Sequence, residues 1–391
     1  MSRTAGEPIY LDHQATTPLD PEVWEAMLPY FESRFGNAAS RHHAFGREAA
    51  AAVARAREQV AAALGAEPEE IVWTSGATEA TNLALKGICE QAGHDLAAVY
   101  TTKIEHQATL DTCGYLASRG VEIRYVPNDD QGRLLFDQAD AAASSRMAIA
   151  SFIHANNEIG TIQDLGAASA FVADRGCLLH LDAAQSFGKV PLDARRDRFD
   201  LASLSAHKLY GPKGIGALYI RKQVPRIRLV PSLHGGGQEF GFRSGTLNVP
   251  AIVGFGAAAE LAVRRMTHEA LRLEALRSEF LERIITGLNG IRVNGHPEAR
   301  LPGNVNLTID GIDSESLLMA LDDVAISNGS ACSSARLEPS HVLLACGLSA
   351  RQAFSSIRIG IGRSTSSDDV RYAAERIVEE VVRLRELADD F

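Results

Sequence analysis

The chain has no run of about 18 apolar residues, so no segment reads as a membrane-crossing helix. Its opening, MSRTAGEPIYLDHQATTP, has no apolar signal core, and the expectation is a cytoplasmic protein without membrane attachment. Cysteine is scarce: Cys89, Cys113, Cys177, Cys332 and Cys346 are odd in number, far apart and never in a C-x-x-C pair. That argues against a disulfide framework and against zinc, and no metal is expected. Positive charge is also lacking. A formal net charge of -10 gives no whole-chain case for nucleic acid or acidic membranes. The one local exception, Arg221, Lys222, Arg226 and Arg228, reads as a solvated edge.

What the chain has is apolar material, 46% of 391 residues, enough for a large core and more than one domain. The stretch from Phe45 to Gly65 is alanine-rich with interspersed Arg and Glu, and predicts a helix ended by glycine. EIVWTS, AAVYTT, VEIRYVP, MAIASFIHA, CLLHLDAA and GALYIRK are short strand candidates, several separated by helical segments. That alternation predicts an α/β fold with a mainly parallel sheet covered on both faces. After Pro250 the pattern changes to a long charged helix, then VNLTID, SLLMALDD, SSIRIGIG and a last helix from Ser367 to about Leu387. The expected division is a large domain over 17–258, with 1–16 and 259–391 forming a smaller α+β domain.

Two residues suggest pyridoxal phosphate. Lys208 follows a strand-like run and precedes a glycine-rich loop, and Asp182 ends a very apolar strand. The cofactor needs a lysine amine for a Schiff base and an acid near its pyridinium nitrogen. Each residue taken singly has an ordinary reading, a solvated lysine and a capping aspartate. WTSGATEATNLAL reads as strand, tight turn, helix, with Gly76, Ala77 and Thr78 offering N–H groups at a helix N-terminus where an anion is favoured. Ser205 and His207 add donors. His106, at a strand-to-helix junction, is placed to stack on a ring or move protons, and Asn157 follows another strand.

Read in order, YLDHQATTPLDPEV, FGNAASRHHAFG, TSGATEATNLA, EHQATLDTC, NNEIGTIQD, HLDAAQS, SAHKLYGPKGIGALY, GGGQEFGFRSGT, GSACSSA and SSIRIGIGR resemble the NifS/IscS-like cysteine desulfurases. These are class V aminotransferase-type enzymes of pyridoxal-phosphate fold type I. The resemblance implies Lys208 as the Schiff-base lysine, Asp182 as the pyridinium partner, Gln185 on the ring O3′ and His106 stacked on the ring. It implies Ala77, Thr78, Ser205 and His207 at the phosphate, with Thr246 reaching the phosphate of the other subunit of a homodimer. Asn157 and Arg358 would bind the substrate carboxylate, and Asn157 also lies toward the cofactor. No role follows for His13 or Gln14.

The resemblance also gives a task to Cys332, which sits among small residues in SNGSACSSARLEP, about 327–339. It would attack the sulfur of bound L-cysteine as a thiolate, giving L-alanine and a Cys332 persulfide for a sulfur-acceptor protein. Iron–sulfur cluster assembly, tRNA thiolation and other sulfur modifications all begin this way. The other four cysteines read as packing residues. Two alternatives stay open: a selenocysteine lyase or another class V enzyme such as an aminotransferase, and a sulfur-relay subunit with a vestigial site.

Overall fold

The computed structural model describes residues 8–92, 98–140, 149–328 and 338–389. Among them lie twelve strands: β1 (Ile9–Tyr10), β2 (Ile71–Thr74), β3 (Val99–Thr102), β4 (Ile123–Val126), β5 (Ile149–Ile153), β6 (Leu178–Asp182), β7 (Leu201–Ser205), β8 (Gly216–Ile220), β9 (Ile291–Val293), β10 (Asn304–Ile309), β11 (Val324–Ala325) and β12 (Ser356–Gly360). Seven make one sheet in the order β2-β8-β7-β6-β5-β3-β4. β8 runs against both its neighbours, and every other pair is parallel. The expected α/β class with a mainly parallel sheet is what the fold shows.

β2, β3, β5, β7 and β8 are buried along their whole length. Helices cover both faces, so β2, β5 and β8 carry nearly continuous apolar runs instead of alternation. The alanine-rich helix spans Ala44–Leu64 and buries Ala49, Ala52, Val53, Ala56, Val60 and Leu64, a stripe at three- and four-residue spacing. It stops at Gly65, whose φ of 69° is the left-handed cap glycine adopts without a Cβ clash.

The apolar interior is divided. One core draws on residues between Val23 and Ala262 around the seven-stranded sheet. A second holds Ile9 and Leu11 with residues from Leu276 to Val381, around the antiparallel sheet β12-β10-β9. One helix, Val249–Gly287, serves both: Val249 to Ala262 pack on the first core, and Leu276, Phe280 and Ile284 on the second. The polar stretch between is tied to the chain's beginning by Arg265 on Asp20 and Glu22, and to the last third of the chain by Glu269 on Arg363. β1 returns to the second core by pairing with β11.

Because β2, β3, β5, β6 and β7 point the same way, their carboxyl ends form one edge. The segments after Thr74, Thr102, Ile153, Asp182 and Ser205 all emerge there, as expected for an open α/β sheet that gathers a ligand outside its strand ends.

Candidate active site at the carboxyl edge of the sheet

β7 ends at Ser205, and a single turn, Ala206–Lys208, turns Lys208 back over the edge. Lys208 Nζ donates to the carbonyls of Gln14 at 2.6 Å and Ala15 at 2.7 Å. Gln185, three residues past the end of β6, donates from Nε2 to the same Gln14 carbonyl at 2.8 Å. Lys208 and Gln185 therefore meet at one oxygen. Asp182 is buried at the tip of β6, where its Oδ1 accepts from the Ala184 N–H at 3.0 Å.

The turn after β2 supplies the anion cradle. The helix Ala77–Ala92 begins with Ala77 and Thr78, and Thr78 is exposed. A Cβ on Gly76 would meet nothing within 4 Å, so the space above the turn is open. Beneath it a Cβ on Gly216 would lie 2.6 Å from the Gly76 Cα, so only glycine at the start of β8 admits this turn. An open turn at a helix N-terminus, next to the Ser205–Lys208 turn, fits a phosphate with a lysine-bound aldehyde beyond it. A buried polar chain anchors this helix to the sheet. Thr81 Oγ1 donates to Ser203 Oγ at 2.9 Å, and His180 bridges Ser203 and Ser151 at 2.8 Å each.

His106 is the N-cap of the helix Gln107–Ser118, its Nδ1 accepting from the Ala108 N–H at 3.1 Å. The ordinary reading of this residue is thus also true: one side of the ring caps the helix. Asn157 follows β5, and its carbonyl accepts from Arg358 Nη1 at 3.2 Å. Arg358, on β12 and only 3% exposed, also donates from Nη2 to Asp12 Oδ1 at 2.7 Å. Its Nε has no acceptor among the described residues.

Cys332 lies outside the described residues, but both flanks of its loop are placed. Ser327 exchanges backbone hydrogen bonds with Arg358. Ser340 Oγ donates to Glu158 at 2.5 Å, and His341 Nε2 bonds the Glu105 carbonyl at 2.9 Å. The loop leaves beside Arg358 and returns beside Asn157 and His106. Thr246 is exposed, and no hydrogen bond among the described residues joins it to this cluster. Its neighbour Arg243 pairs with Glu79, next to Thr78, at 2.9 Å.

Several participants escaped sequence reasoning. Gln14 and Ala15 act through backbone carbonyls, and Asp12 holds Arg358. Thr16 Oγ1 bonds His207 Nδ1 at 3.1 Å, and Thr17 bonds the His207 carbonyl and the Tyr210 N–H. Lys189, four residues past Gln185, donates to Gln185 Oε1 at 3.0 Å. Burial, then Lys208 and Arg358, lower its pKa to about 7. Spacing from Gln185 was the available signal for Lys189; nothing in the side-chain pattern marks a backbone acceptor.

Burial also keeps the local imidazoles neutral. His207 falls to about 4 through burial and the nearby lysines, His154 and His13 to about 4, and His180 to about 3. Folded values below the unfolded value near 6.5 mean that their stability contribution is full above that pH and lost as pH falls through about 4. Imidazole proton NMR on the cofactor-free protein should show these four rings unprotonated from pH 8 to 5. A midpoint near 6.5 for His207 would contradict the burial argument.

Residues 9–372 match the aminotransferase class-V family. A cysteine desulfurase IscS of Anaeromyxobacter dehalogenans is 49% identical, over 97% of this chain and 94% of that protein. One of Rickettsia felis is 46% identical, over 97% and 93%. Among solved structures, a NifS-like protein superposes with a TM-score of 0.89 at 35% identity, covering 96% of this chain and 99% of that one. A protein described as SspA in complex with cysteine gives 0.80 at 36% identity, covering 90% and 98%. With these proportions of both chains aligned and the lysine, aspartate and arginine gathered at one edge, the chain belongs to the class-V aminotransferase family and, within it, to the IscS-like cysteine desulfurases.

Proposed function

We propose that this edge desulfurates L-cysteine through Lys208, Asp182, His106, Arg358 and Cys332, leaving L-alanine and a persulfide on Cys332. As a family member the chain is a pyridoxal-phosphate enzyme of the cysteine desulfurase type. The observation that carries the residue assignment is the convergence of Lys208, at the end of β7, and Asp182, at the end of β6, beside the open turn at Gly76.

Ala77, Thr78, Ser205 and His207 would hold the phosphate, Asp182 the ring nitrogen, and Gln185 the ring hydroxyl oxygen, with His106 beside the ring. Bound there, the cofactor supplies an electron sink that labilises the substrate's α-proton and its sulfur. Arg358 takes the substrate carboxylate, for which its planar fork and unmet Nε suit it, with Asn157 beside it. Lys208, as a free amine, would take the substrate's α-proton. Cys332, as thiolate, accepts the sulfur, and His106 moves the proton for the departing group. Atoms balance: two thiols become one persulfide, and the substrate carbon gains hydrogen.

We read the two apolar cores as the large and small domains divided near 258, and the assembly as a cytoplasmic homodimer with Thr246 serving the partner's phosphate. Support for a dimer comes from Trp24, Phe31, Phe35 and Phe45, aromatics that are 47%, 56%, 67% and 51% exposed within one chain. The persulfide passes to an acceptor protein.

The test is product analysis with L-cysteine and a reductant. Alanine in stoichiometric excess over enzyme is the expected result. 3-Mercaptopyruvate in place of alanine, formed only with a keto-acid acceptor, would indicate an aminotransferase. Alanine from selenocysteine alone would indicate a lyase.

A further inference from the structure

Gln185 carries an amide whose two ends are chemically different, so which end faces the cofactor decides whether it donates or accepts there. Two neighbours bear on this. The Gln14 carbonyl can only accept, and it takes one N–H of Gln185 Nε2 at 2.8 Å. At the other end Lys189 Nζ donates to Gln185 Oε1 at 3.0 Å. Nε2 has two hydrogens, and Gln14 uses one. The second remains for the cofactor ring oxygen.

Lys189 is placed only for this. It lies in the turn that follows β6, against the cavity between that turn and the helix Val249–Gly287. Its single hydrogen bond among the described residues is to Gln185, and no carboxylate pairs with it. The positive charges of Lys208 and Arg358 oppose its own. A lysine so situated adds no ion-pair stabilisation, which leaves the amide contact as its structural consequence.

We propose that Lys189 is a positioning residue: it locks the Gln185 amide so that Nε2 donates to the ring oxygen of the cofactor. The inference rests on the assignment of Gln185 to that oxygen under Proposed function. A donor on the ring oxygen stabilises its anionic form and weakens its hold on the proton of the lysine–cofactor linkage. When Lys189 is lost the amide keeps only the Gln14 carbonyl and swings about that one bond, the donor moves off the ring oxygen, and that proton is bound more tightly.

The experiment is a pH titration of the visible absorbance of the cofactor-loaded protein, for wild type, Lys189→Met, Gln185→Ala and the double variant. The midpoint should rise by about one pH unit in each single variant, a tenfold change in proton affinity, and no further in the double variant. Lys189→Ala carries the same expectation and replaces the methionine variant if that does not fold. An unchanged midpoint in Lys189→Met would overturn the inference. So would shifts that add in the double variant, because Lys189 would then act by its charge through space. Wild type with no visible band, or a band that survives Lys208→Ala, would instead overturn the site assignment on which the inference stands.

Discussion

Lys208→Ala should eliminate the visible absorbance of the cofactor and reduce alanine release from L-cysteine by about 10⁴-fold or more. On the proposed assignment one side chain has two tasks, covalent attachment and proton transfer at the α-carbon. Both need the amine just past the end of β7, where a single turn and the Gln14 and Ala15 carbonyls hold it. No other lysine is so placed. Lys189 comes near but is tied to Gln185 Oε1, on the far side of that amide from the Gln14 carbonyl shared with Lys208. The phosphate contacts proposed for Ala77, Thr78 and Ser205 do not involve Lys208. The variant should therefore still bind free pyridoxal phosphate, measurable by fluorescence or calorimetry, while forming no lysine linkage. A visible band in this variant that borohydride bleaches, leaving a covalent label mapped to Lys189, would relocate the linkage.

The parts of this site that were legible in the sequence are those in which a side chain of unusual chemistry sits at a strand end. Lys208, Asp182 and His106 each follow an apolar run, and the parallel order of β3, β6 and β7 brings their ends together. The strands themselves were legible because burial on both faces leaves apolar stretches such as IVWT and GALYI. β1 and β11, two residues each, carry no such signal, because two residues cannot show a period. His13 and Gln14 were given no role for a different reason. The lattice around Lys208 is built by carbonyls of residues 14 and 15, and every residue type has the same carbonyl. Arg358 was an ordinary strand arginine by pattern. Only the pairing of β12 with β10, with Ser327 beside it, shows that its guanidinium is buried and directed to Asp12 and Asn157.

Cys332→Ala should lose at least 100-fold in alanine release while keeping the wild-type absorbance band. The reason lies in the thiols that remain. Cys89, Cys113, Cys177 and Cys346 are all buried. Burial pushes Cys89, Cys113 and Cys346 up to about 12 and Cys177 to about 11. At neutral pH a thiol of that kind is ionised in roughly one molecule in 10⁴ to 10⁵, and the thiolate is the reacting form. None can stand in for Cys332, even before access is considered. Cys332 follows Ser327 by five positions, at most about 18 Å of extended chain. Ser327 is bonded to the backbone of Arg358, the residue assigned to the substrate carboxylate, so the substrate's sulfur is within that radius. The assay should use a phosphine reductant, which strips sulfur from a persulfide and offers no competing thiol. Mass spectrometry of wild type without reductant should then place one extra sulfur on the peptide containing Cys332 and on no other. Equal alanine release from both proteins would mean that the sulfur leaves by another route, and the loop flanked by Arg358 and His341 would have to serve only in binding.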